Sequence, residues 1–154
     1  DAGGIELSKL KSVFKKSHAV RDCLKEISRN HPIDKVFIEE NLQAFRPGFS
    51  SAKTIVTLAR FNGIVTFLAH EEIQVEPEFI NVNNARKVVG LKIDRKSDLS
   101  TKEQVLRFVK EKLPEYSWPT RTLKSGVRKG LVIPADSCYD IADAYVIALA
   151  SVKR

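Results

Sequence analysis

Two aspartates three residues apart, in the run Asp140-Ile141-Ala142-Asp143, stand out among the residues of this 154-residue chain that could do chemistry. Positions i and i+3 share a helical face, so both carboxylates point the same way. The surrounding residues are Ala, Val, Ile and Leu, the composition of a buried helix. Like charges on one face repel each other unless a cation sits between them. Acids early in a helix also complement its positive end, and spacing alone leaves the two readings level. A second acidic feature, Glu39-Glu40, closes the apolar run Val36-Phe37-Ile38. Ending a buried strand in carboxylates costs desolvation unless the charges are paired or bind metal. Ligand sites of α/β sheets also gather at the C-terminal ends of strands. Strand side chains alternate, so Glu39 and Glu40 face opposite sides, and at most one of them serves a given site. Oxygen-only ligands of this kind favour Mg²⁺ or Mn²⁺ over zinc.

Other chemistries lack their residues. There is no Cys/His dyad, no G-x-S-x-G and no glycine loop able to cradle phosphate. His18, His31 and His70 fall on helix surfaces or ends and read as structural. Cys23 and Cys138 form no C-x-x-C pair, which argues against a disulfide scaffold or zinc module and for a reducing compartment. No apolar run approaches the roughly 18 residues of a membrane span, and no signal peptide is visible. The expectation is a protein with no membrane partner. The chain contains no Met, which points to a trimmed, processed or unobserved N-terminus.

The net charge of +7 is unevenly spread. Residues 86–130 hold 13 Lys and Arg against 5 Asp and Glu, a net of +8, so the remainder is slightly acidic. The cations are Arg86, Lys87, Lys92, Arg95, Lys96, Lys102, Arg107, Lys110, Lys112, Arg121, Lys124, Arg128 and Lys129. A polyanion is the natural partner of such a segment. Several of these residues lie at helical spacing beside acids, which also fits a solvated face.

The elements that must position these groups alternate. A short strand at residues 5–7 leads to a helix from a Ser8 cap to about residue 30, with an apolar stripe of Leu10, Val13, Phe14, Val20, Leu24 and Ile27. The strand at 36–38 follows. Ser50 or Ser51 caps a second helix to about residue 70, its core face including Ile55, Leu58, Ala59, Val65 and Leu68. Residues 74–80 read as a strand weakened by Pro77, and 83–89 as a short helix ended by Gly90. Ser100-Thr101-Lys102-Glu103 fits a capping box for a helix to about residue 113. Residues 114–135 read as irregular, and Ser137 caps a last helix to about residue 153. The alternation predicts a single α/β domain over residues 1–154.

Taken in order, Val36-Phe37-Ile38-Glu39-Glu40, a long helix, Asn84-Ala85-Arg86-Lys87-Val88-Val89-Gly90-Leu91-Lys92, a Lys-bearing helix start and Asp140-Ile141-Ala142-Asp143-Ala144 resemble the RuvC-like Holliday junction resolvases over residues 33–154. The D-x-x-D-A run before an apolar helix is the most specific part. The resemblance implies an RNase H-like, retroviral-integrase-type mixed sheet flanked by helices. It implies a homodimeric, Mg²⁺-dependent endonuclease with two ions that cuts four-way DNA junctions. Glu39, Asp140 and Asp143 match the family's metal ligands, and Lys102 best matches its catalytic lysine. Lys87 or Arg86 matches the basic residue ahead of V-V-G. Arg86, Lys87, Lys92, Arg95, Lys96, Arg128 and Lys129 would hold DNA. The family's aromatic after the strand glutamate is replaced by Leu42, so Phe45 or Phe49 would take its role at the junction.

The chain departs from the family at its start. The family's first strand carries an Asp in a G-x-D-x-(S/T/G) setting, and no such strand is present. Asp1-Ala2-Gly3-Gly4 instead resembles the hairpin between the second and third strands, which implies that the first strands and the first catalytic Asp lie outside this sequence. Two other functions fit the same residues. One is a non-catalytic nucleic-acid-binding module on this fold, for which the acids are relics. The other is an RNase H-like nuclease for another branched or hybrid substrate.

Overall fold

The computed structural model describes residues 2–40 and 52–153. Phe45 and Phe49 lie outside the described residues. The chain divides into two compact units, one of Ile5–Asn81 and the other of Asp1–Gly4 with Val82–Arg154.

In the Ile5–Asn81 unit, helix α1 (Val13–Asn30) packs on helix α2 (Ala52–Ile73). Arg21 of α1 bridges Glu71 and Glu72 of α2, and Lys25 reaches Glu72 at 4.0 Å. Strands β1 (Phe37–Glu39) and β2 (Glu78–Ile80) are parallel, with Phe37 opposite Glu78, Ile38 opposite Phe79 and Glu39 opposite Ile80. With α2 between them they form one βαβ crossover. β2 is only three residues long because Pro77 and Gln74, the latter at φ +61°, break the extended run before it. Residues 5–7 form no strand, since they find no neighbour to pair with among the described residues.

The apolar stripes of this unit are only partly covered. On α1, Val20 is buried while Phe14 is 75% exposed. On α2, Leu68 and Ala69 are buried, whereas Leu58 and Phe67 are open. By length and composition α2 also meets the description of a membrane span. Its far end nevertheless carries the two glutamates that tie it to α1.

The second unit holds helices α3 (Val82–Val88), α4 (Thr101–Lys112) and α5 (Ser137–Val152), with strands β3 (Thr120–Thr122) and β4 (Val132–Pro134). α5 is its centre and packs against both α3 and α4. Cys138, Ile141, Ala142, Val146, Ile147 and Ala150 are buried along one side of α5, spaced by three, four or multiples of a turn. Val105, Leu106 and Val109 of α4 and Ala85 of α3 complete this core. The capping box at the start of α4 forms as its sequence predicts. α5 begins differently. Asp136, not Ser137, is the N-cap, and it makes no side-chain capping bond.

β3 and β4 pair as an antiparallel hairpin inside the stretch expected to be irregular. The α/β class therefore stands. Among the described residues the strands make two separate two-stranded sheets, one in each unit, in place of a continuous mixed sheet.

Candidate functional site

α5 places its two aspartates differently. Asp140, in the first turn, is exposed. Asp143, one turn on, is half-buried beside α3. The residue that meets it is Arg86, whose Nη2 donates to Asp143 Oδ1 at 2.8 Å. Both side chains are largely withdrawn from water, at 13% and 20% exposure, so this ion pair is less screened than a surface pair. Arg86 Nε is buried with no hydrogen-bond partner among the described residues. The Asn-Ala-Arg-Lys-Val-Val-Gly segment thus faces the D-x-x-D motif, 57 positions away in the chain. Of the alternatives Arg86 and Lys87, Arg86 is the one at the acid, and Lys87 is exposed.

Gly90 sets where α3 stops. Its φ is +80°, its N–H donates to Lys87 O at 3.0 Å, and the Leu91 N–H donates to Arg86 O at 2.9 Å. These are the two bonds of a Schellman cap, in which the residue after the helix adopts the left-handed conformation. The cap turns the chain sharply after Val89, which is buried, and leaves Arg86 in the last turn against α5.

The basic stretch that follows is ordered by a residue the sequence reading did not single out. Gln104, on α4, accepts from the Asp94 N–H at 2.9 Å and donates to the carbonyls of Asp94 and Leu99, each at 2.9 Å. Asp94 Oδ1 accepts from the Lys96 N–H at 2.8 Å. Lys92, Arg95 and Lys96 are exposed on this loop. Gln104 directly follows the capping box, yet its clamp has no signature in sequence, because its partners are backbone groups ten and five residues away.

Lys102 is exposed in the first turn of α4. A cation there opposes the helix dipole, a local cost that a phosphate ligand would reverse. The ion pair of Asp143 is with Arg86 and not with Lys102. Arg128 and Lys129 lie exposed in the β3–β4 turn.

Glu39 belongs to the other unit and ends β1 with its side chain exposed, while Glu40 is half-buried. Asn62 of α2 donates to Glu39 O at 3.3 Å and the Glu40 N–H donates to Ile80 O at 3.0 Å, so this strand end is held from both sides.

Asp140 and Asp143 suit a hard cation in donor type, and the charge of Asp143 already draws a cation, Arg86. Among the described residues no three His, Cys, Asp or Glu side chains stand close enough to hold a metal together.

No family model matches the chain, and no solved structure matches it. Among curated proteins it is similar to the crossover junction endodeoxyribonuclease RuvC of Aliarcobacter butzleri (strain RM4018), with 29% identity over 126 residues. The match covers 82% of this chain and 64% of that protein, so the chain spans less than two thirds of the relative's length. This likeness supports a RuvC-like relationship for the chain.

Proposed function

We propose that this chain is a nuclease of the RuvC kind, on an RNase H-like fold, acting as a homodimer on four-way DNA junctions. The observation that carries this reading is the likeness to a crossover junction endodeoxyribonuclease; the Arg86–Asp143 pair adds that two of the motifs behind the resemblance meet in the fold. Asp140 and Asp143 are the residues of the α5 unit that would hold Mg²⁺ or Mn²⁺, which when bound supplies an activated water and charge stabilisation for phosphodiester hydrolysis. Arg86 orients the Asp143 carboxylate and keeps its charge compensated. Lys102, exposed at a helix start, would meet the developing charge of the phosphate. Lys92, Arg95 and Lys96, on the loop clamped by Gln104, would contact the DNA backbone, which positions substrate without reading sequence. The exposed Val56 and Phe67 lie eleven residues apart, close to three turns, on the same side of α2. They support a dimer contact there.

Cleavage of a synthetic four-way junction in Mg²⁺ tests this, with a linear duplex as control. The full-length protein should cut the junction, and Asp143→Asn should lower the rate by at least about a hundredfold, the scale for a lost electrostatic group at a catalytic centre. Equal cutting by both would remove Asp143 from the site. A second reading, a junction-binding module without cleavage, is favoured by the engagement of Asp143 with Arg86. It predicts tight junction binding with no products in either metal.

A further inference from the structure

The β3–β4 hairpin carries a feature that the acidic site does not use. Between Pro119 and Pro134 the sequence has four cations, Arg121, Lys124, Arg128 and Lys129, and no acid. The ribbon continues past its strands, with the Leu123 N–H donating to Leu131 O at 3.0 Å and the Gly130 N–H to Leu123 O at 2.9 Å. Its tip is a built turn. The Lys129 N–H donates to Gly126 O at 3.0 Å and the Leu131 N–H to Arg128 O at 3.1 Å, with Gly126 and Gly130 at φ +80° and +89°. The base is anchored to the start of α5 by the Arg121–Asp136 ion pair at 3.2 Å and by Cys138 Sγ donating to Pro119 O at 3.0 Å.

At the apex stands Val127, fully exposed. A lone exposed apolar side chain is ordinary, but the setting of this one is specific. Lys124, Arg128 and Lys129 surround it in sequence, and none of them makes an ion pair among the described residues. Cations gathered in a tight turn without acids repel one another until a polyanion arrives. A two-stranded ribbon has the width to enter a duplex groove, where an apolar apex meets bases while flanking cations meet phosphates.

We propose that the hairpin is a wing for branched DNA, with Lys124, Arg128 and Lys129 on phosphates and Val127 against an uncovered base face at the branch point. This rests on reading the chain as a junction-binding protein. In a linear duplex an apolar wedge must first unstack a base step, at a cost of a few kcal/mol. An open branch point offers a base face already uncovered. The cations therefore add affinity for any DNA, whereas Val127 adds affinity for the branch.

Binding by the full-length protein, measured in EDTA to prevent cutting, separates these roles. The probes are a four-way junction and a linear duplex of the same arm sequence. Val127→Ser should weaken junction binding about tenfold, the scale of burying one valine side chain, and leave duplex binding unchanged. Val127→Leu should keep the preference. The double variant Arg128→Ala/Lys129→Ala should weaken both and lower the slope of log K against log salt by about two. A Val127→Ser protein that retains the wild-type preference, or loses both affinities equally, overturns the wing. A wild-type protein with no preference for the junction overturns the junction reading itself, and the wing with it.

Discussion

Arg86 ties α3 to α5 through Asp143. Its guanidinium compensates a carboxylate that is only 20% exposed, so its removal strands a partly buried charge. Truncating one member of such a pair costs more than the pair itself is worth. Arg86→Ala should therefore destabilise the protein by about 1–2 kcal/mol in urea melts, and adding Asp143→Ala should recover part of that loss. A double variant no better than Arg86→Ala alone would show that Arg86 acts through packing and not through Asp143. The pairing has a functional consequence too. On the proposed reading a metal ion at the aspartates would compete with a guanidinium already in place, so divalent-ion affinity measured by calorimetry should rise when Arg86 is removed.

Two helix ends decide how the elements hold the site. Gly90 gives α3 its left-handed cap, and an added Cβ there would meet open space but the wrong backbone conformation. Gly90→Ala should cost about 1–2 kcal/mol, the penalty of an L-residue in that region, with Arg86 displaced from Asp143. A thermal melt unchanged by the substitution would mean the cap is not needed. At the start of α4, Glu103 is held below its ordinary value of 4.5 by hydrogen bonds from the Ser100 hydroxyl and then the Ser100 N–H, against a smaller opposing effect of burial. A carboxylate with a depressed folded pKa stabilises fully above its unfolded value and loses that contribution as pH falls through the folded one. Amide protection in the first turn of α4 should accordingly be constant above about pH 4.5 and decline below it. In Glu103→Gln that decline should disappear. Its persistence would assign the acid sensitivity to another group.

At the scale of the whole molecule, charge and apolar surface are both left over after folding. Apart from the half-buried Arg86 and Lys110, the cations of residues 86–130 lie on exposed loops and helix faces of one unit. The uncovered apolar surface of α2 belongs to the other, with Phe67 60% exposed. Large contiguous apolar patches mark interaction sites, and the proposed dimer would use this face of α2. Phe67→Glu should leave the helix content unchanged and shift sedimentation from dimer toward monomer. A sedimentation profile identical to the parent's would remove α2 from any dimer contact.

The sequence by itself determined what depends on neighbours in the chain. Ser100 and Glu103, three apart, form their reciprocal cap, and Gly90 ends α3. The apolar spacing from Cys138 to Ala150 becomes the buried side of α5. The residue types of the candidate site, the paired acids of α5 and the cations of 86–130, are visible in the same way. Local periodicity misjudged Phe14 and Leu58, because an apolar stripe reports a wish for burial and not the presence of something to cover it. It also misread the β3–β4 hairpin, whose three-residue strands are too short to show alternation. Only the tertiary structure decided that Arg86 and not Lys87 meets Asp143, and that Gln104 clamps the basic loop. It alone set Val127 bare at the end of a cationic ribbon. Those outcomes are set by contacts between residues distant in the chain, and the spacing of residues along the chain carries no information about them until the helices pack.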